Sequence, residues 1–79
     1  MEKKIILIGV RKISSEKKQK DYYFVDYITK KDNIYTPKTD IISVEEYNKI
    51  ASKMKGNVYE VTGIFNLNDF NQGYLADIK

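Results

Sequence analysis

The chain has 79 residues, a net charge of +3, seven Tyr among its ten aromatics, and neither Cys nor His. That inventory excludes disulfide staples, thiolate nucleophiles, Cys/His zinc sites and the usual neutral-pH acid–base group. A domain of this size buries roughly 60% of its unfolded surface, so the core is thin and self-association is a natural source of added stability.

Taken in chain order, the first element is "IILIGV", Ile5 to Val10, whose β-branched residues and Gly9 fit a strand buried on both faces or bent at the glycine. This run is the longest apolar stretch. It is too short to span a bilayer, and no small-residue cleavage pattern follows it, which reads as a reduced, cytoplasmic protein without a membrane partner. Next comes "RKISSEKKQK", Arg11 to Lys20, read as a basic loop. Residues 1–20 hold seven Lys/Arg against Glu2 and Glu16, a net +5, so the positive charge is concentrated at one end of the chain.

"DYYFVDYIT", Asp21 to Thr29, alternates as a second strand, with Tyr23, Val25, Tyr27 and Thr29 on one face and Tyr22, Phe24, Asp26 and Ile28 on the other. "KKDN", Lys30 to Asn33, is a turn. "IYTPKTDII", Ile34 to Ile42, is a third extended segment, interrupted or at a sheet edge because Pro37 cannot donate to a ladder. Ser43 and Glu46 form an S-x-x-E capping box that opens a helix from Val44 to Lys55, with Val44, Tyr47, Ile50, Ala51 and Met54 on one face and Gly56 as its stop. "NVYEVTGIFNL", Asn57 to Leu67, is a fourth strand kinked at Gly63. "NDFNQG", Asn68 to Gly73, is a turn, and "YLADIK" is the fifth strand.

Three strands, a helix and two strands, with glycines in the first and fourth, is the element order of a small five-stranded OB-like β-barrel. Residues 1–79 are read as one such mainly β domain. Fold alone assigns no function, and the side-chain inventory argues against an enzyme: no Gly-rich phosphate loop, no carboxylates at motif spacing, and no expected cofactor or metal.

Binding is better supplied. Single-stranded nucleic acid is held by cations that track phosphates and by aromatic faces on which bases stack. Arg11, Lys12, Lys17, Lys18 and Lys20 lead into Tyr22 and Tyr23, and Tyr27, Lys30, Lys31, Tyr35 and Lys38 follow along the same hairpin. Tyrosine suits a groove because its ring can face a ligand while its hydroxyl stays wet. The alternative is a small phage or mobile-element module that docks on a host protein through its tyrosine-rich face, since Tyr is also enriched in protein interfaces.

Several spaced features, spread over most of the chain, carry a resemblance. A basic first loop precedes Lys20-Asp21-Tyr22, and "FVDY" from Phe24 to Tyr27 follows. Gly56 stands ahead of Tyr59 and Val61, and Phe65 and Phe70 flank the approach to an apolar last strand. In these features the chain resembles the small OB-fold single-stranded DNA-binding proteins of filamentous bacteriophages, homodimers that coat replicating DNA. The resemblance implies that Tyr22 stacks on bases and that Arg11, Lys12 and Lys20 contact phosphates. It also implies that Phe70, at the tip of the last hairpin, reaches DNA bound mainly by the partner subunit. Single-stranded DNA, with RNA as a second possibility, is the expected partner.

Overall fold

The computed structural model describes Met1 to Lys79. Five strands, β1 (Glu2–Ser15), β2 (Lys20–Lys31), β3 (Ile34–Ile42), β4 (Tyr59–Leu67) and β5 (Gly73–Ile78), form one antiparallel sheet in the order β3-β2-β1-β4-β5, and a helix α1 (Val44–Lys53) lies between β3 and β4. The sheet curls into a half-barrel. No ladder joins β3 to β5, so the cylinder stays open along that seam. The expected order of elements holds, and β3 is an edge strand, the one setting in which Pro37, opposite Ile28, costs no ladder bond.

Two irregularities curl the sheet. The β1–β2 register shifts between Leu7 and Gly9, leaving Ile8 as an extra residue, so that Leu7 and Val10 both turn inward opposite Tyr27 and Val25. The β4–β5 register shifts after Ile64, where Ala76 is the extra residue and both Leu75 and Ile78 remain inside. At Gly63 an added Cβ would lie 2.7 Å from Leu75 Cδ1 and 3.2 Å from Ile5 Cδ1, so the glycine is where β4 presses directly on the core. That core is Ile5, Leu7, Val25, Tyr27, Ile42, Ile50, Leu75 and Ile78, with Tyr23, Tyr47, Met54 and Phe65 packed around it.

The helix begins as its capping box dictates: Glu46 N–H donates to Ser43 Oγ (3.1 Å) and Ser43 N–H donates to Glu46 Oε1 (2.9 Å). It closes one end of the half-barrel by inserting Ile50, and it is tied to β5 at both ends. Tyr74 Oη donates to Glu46 Oε2 (2.7 Å), and Lys53 Nζ donates to both Asp77 carboxylate oxygens (2.9 Å each). The expected helical face is narrower than its pattern, because only Ile50 is fully buried while Val44 and Ala51 are exposed. The helix ends at Lys53 because Met54 turns extended (ψ 135°) ahead of Gly56, and β4 starts at Tyr59 after Val58 adopts a left-handed φ of 55°. No helix is long and apolar enough to cross a membrane.

The expected basic loop is a strand over half its length. β1 continues through Arg11 to Ser15 in register with Phe24 to Lys20, and only Glu16 to Gln19 form the turn. Charge suggests a loop, but Ile13 opposite Tyr22 and Lys12 opposite Tyr23 are good cross-strand pairs, and lysine tolerates a solvated strand. Gln19 closes the turn with φ 48°, its N–H donating to Glu16 O (3.3 Å).

Candidate nucleic-acid interface

Alternation along β2 sends its even-numbered residues to the outer face of the sheet and its odd-numbered ones inside. Directly paired residues share a face, so the outer surface of β1–β2–β3 follows from the registers. Tyr22 lies beside Ile13. Phe24 lies between Arg11 and Ile41, Asp26 between Gly9 and Thr39, Ile28 between Ile6 and Pro37, and Lys30 beside Tyr35. This face is both aromatic and cationic. Lys20 Nζ sits 5.4 Å from the Tyr22 ring centre, the Arg11 guanidinium 5.2 Å from Phe24, and Lys30 Nζ 5.6 Å from Tyr35. Each pair is a flat apolar surface with a positive charge above it. From Lys20 to Lys30 the strand runs roughly 33 Å at 3.3 Å per residue, long enough for a stretch of several nucleotides.

One acid sits in the middle of this face. Arg11 Nε donates to Asp26 Oδ2 (2.6 Å), Arg11 Nη2 to Oδ1 (3.0 Å), and Thr39 Oγ1 also to Oδ1 (2.6 Å). Burial pushes the Asp26 carboxyl up, but the bonds from Arg11 and Thr39 and the guanidinium charge outweigh it and hold the group below its ordinary range. The hydrogen bond and charge of Asp26 correspondingly raise Arg11 above its usual value. Arg11 is therefore a balanced charge held beside the Phe24 ring. A base arriving there would meet the guanidinium together with the ring, and bases stack on both.

The sequence candidates separate along these faces. Tyr22 and Tyr35, with Arg11, Lys20 and Lys30, share the outer face. Lys17 and Lys18 occupy the exposed turn at one end of it and engage no carboxylate. Lys12 points to the other face and is 3.7 Å from Asp21, so it does not join the Arg11 group. Tyr23 and Tyr27 face inward, which removes both from the outer face. The Tyr23 ring packs 5.0 Å from that of Tyr47, and Tyr27 is 4% exposed, edge-on to Phe65 at 5.8 Å. Phe24 takes their place; its signal was available in the alternation, which puts it beside Tyr22 and opposite Arg11.

Lys31 also faces inward, toward a cleft at the open end of the half-barrel. This cleft, about 760 Å³, is lined by Lys3, Lys30, Lys31 and Lys38 around Tyr27, Phe65 and Leu67. No sequence spacing signals Lys3 or the cleft itself, because the residues that build it are remote in sequence and converge only when the sheet curls.

Phe70 is 81% exposed at the tip of the β4–β5 turn. The turn is held by one side chain: Asn68 Oδ1 accepts from Phe70 N–H (2.9 Å) and Gln72 N–H (3.0 Å), while Asn68 N–H donates to Gln72 O (2.9 Å). Asn71 supplies the left-handed residue at φ 57°. The aromatic is thus presented to solvent on a braced turn and is not packed into its own domain.

No family model, curated protein or solved structure matches this chain. No three His, Cys, Asp or Glu side chains converge on a point where a metal ion could be held.

Proposed function

We propose that this protein binds single-stranded nucleic acid, DNA in the first instance, with little sequence preference, and that it does so as an OB-like homodimer without catalysis or cofactor. The observation that supports this reading is the coincidence on one sheet face of three aromatic rings, Tyr22, Phe24 and Tyr35, each with its own cation, Lys20, Arg11 and Lys30. Stacking on such rings is sequence-tolerant because every base has a π-face, and the ammonium groups beside them are placed for phosphates. Lys17 and Lys18 extend the positive surface beyond the sheet, and Phe70, free on its turn, supplies the contact to a strand held by the second subunit.

A second reading is favoured by the isoleucines on the same face. Ile41 is 68% exposed and Ile13 46% exposed, and neither offers a stacking surface. They suit a protein partner, either a host protein or the second subunit. Titration with oligo-dT at low and at moderate salt, followed by intrinsic tyrosine fluorescence, separates the two. Quenching that weakens as salt rises supports nucleic-acid binding; silence at low salt overturns it in favour of protein docking.

A further inference from the structure

The cleft at the open end of the half-barrel carries chemistry that the outer face does not use. Along β2 and β3 the inner face is apolar at Val25 and Ile42, carries Asp40 beside Val25 with its carboxylate bonded to the Tyr27 hydroxyl, and past that hydroxyl becomes Thr29, Lys31, Lys38 and Thr36. Lys3 on β1 and Lys30 complete a rim of four lysines, while Phe65 and Leu67 of β4 form an apolar wall. No Asp or Glu lines the cleft, and none of the four lysines takes part in any of the chain's ion pairs. Lys3 instead stands over the Phe65 ring, 5.7 Å from its centre.

Four ammonium groups without an ion-pair partner stand around one concavity, the Asp40 carboxylate at its boundary being taken up by the Tyr27 hydroxyl and the Leu75 N–H, and a polyanion relieves their mutual repulsion. The volume, about 760 Å³, lies within the roughly 300–1,000 Å³ typical of small-ligand sites, and barrel mouths are a recurrent place for them. The apolar wall asks for a flat, uncharged body attached to the anion. The geometry points to a nucleoside phosphate as the ligand of this cleft, with its base against Phe65 and Leu67 and its phosphates among Lys3, Lys31 and Lys38. That chemistry could arrive as a free nucleotide or as the 5′-phosphorylated end of a strand. The site lies on the opposite face of the β2–β3 hairpin from Tyr22 and Phe24; of its lysines only Lys30 is shared with the outer face, where it stands over Tyr35, while Lys3, Lys31 and Lys38 belong to the cleft alone.

Isothermal titration of the full chain with dTTP, thymidine and inorganic tripolyphosphate tests the proposal. Binding of dTTP at least tenfold tighter than tripolyphosphate, with thymidine alone not bound, is the expected result. A Lys31→Gln/Lys38→Gln variant should weaken dTTP at least tenfold, whereas Lys17→Gln/Lys18→Gln, which removes the same charge outside the cleft, should change it less than twofold. All four positions are exposed, and circular dichroism verifies that each variant is folded. A preference of short oligo-dT for a 5′-phosphate over a 5′-hydroxyl, lost in the Lys31/Lys38 variant, would assign the cleft to strand ends. dTTP binding without that preference would assign it to free nucleotides. Equal affinity for dTTP and tripolyphosphate, equal losses in the two lysine variants, or no binding by dTTP or the 5′-phosphorylated strand would overturn the site. Oligo-dT quenching through Tyr22 remains unaffected by any of these results.

Discussion

Tyr27 Oη donates to Asp40 Oδ2 at 2.6 Å, and the same oxygen accepts the Leu75 backbone N–H at 2.9 Å. One carboxylate thus joins β2, β3 and β5 across the seam where no ladder forms, at the boundary between the apolar core and the lysine-lined cleft. Asp40→Ala strands two poorly hydrated donors, and each such loss costs about 1–3 kcal/mol. Tyr27→Phe removes a single bond, with an expected cost of about 1 kcal/mol, and should cost clearly less in an Asp40→Ala background because the partner is already gone. Urea denaturation of the two single variants and the double variant measures the coupling. Strict additivity would show that the seam is closed by packing and not by this carboxylate.

That relationship also marks where a reading of residues runs out. The period-2 pattern of Asp21–Thr29 is enough to sort Tyr22 and Phe24 from Tyr23 and Tyr27, and the Ser43/Glu46 box is enough to start the helix, because both signals are local. Which of the two faces turns inward is not local: it depends on the bulges at Ile8 and Ala76, which curl the sheet around Leu75 and Ile50. Grouping the tyrosines by proximity to the lysines therefore mixed core residues with surface ones. The same curl brings Lys3, Lys38 and Phe65 together from three strands, a convergence with no sequence spacing to betray it. Arg11–Ser15 departs from a charge-based expectation for a different reason, since charge describes solvation and not backbone conformation.

The two faces of β2 predict opposite outcomes for two kinds of tyrosine variant. Tyr22→Ala should weaken oligo-dT binding by about 1–3 kcal/mol, the usual value of one base–aromatic stack, while leaving stability nearly unchanged. Tyr27→Phe, from which only an interior hydroxyl is lost, should leave affinity unchanged and lower stability instead. Fluorescence titration paired with urea unfolding reads both quantities. A Tyr22→Ala protein that binds as the parent does would remove the outer face from consideration.

Lys17 and Lys18 should act through charge alone. They lie on the solvated turn between β1 and β2, without a carboxylate partner, and neither stands over an aromatic ring. If each contacts one phosphate, Lys17→Ala/Lys18→Ala should reduce the slope of log affinity against log salt by about 1.4, from roughly 0.7 per phosphate on single strands. Affinity at high salt should then differ little between variant and parent. A parallel loss at every salt concentration would mean that the turn shapes the site and does not merely attract the strand.

Stability should be flat across neutral pH and fall at both extremes, for reasons that can be assigned. Burial pushes Asp26 and Asp77 up, but hydrogen bonds from Arg11 and Thr39 in one case, and from Lys53 and the Ile78 N–H in the other, hold both below the ordinary 3.8. The folded state therefore binds these protons less tightly than the unfolded chain. Their stabilisation is complete above that ordinary value and is lost as pH falls through the lower folded values, so the acid limb lies below about pH 4. The tyrosines run the other way. Burial and the bond to Asp40 raise Tyr27, and the bond to Glu46 together with burial raises Tyr74, each from an ordinary 10.0. Their stabilisation is present below pH 10 and is lost as pH rises toward the folded values. With no histidine in the chain, no side chain is expected to titrate near pH 6.5 and divide the plateau. Urea midpoints measured from about pH 2 to 11 test this, and the decisive comparison is Tyr27→Phe: its alkaline limb should be shallower than the parent's while its acid limb is unchanged. An unaltered alkaline limb would assign that loss of stability to Tyr74 and would leave Tyr27 without a part in it.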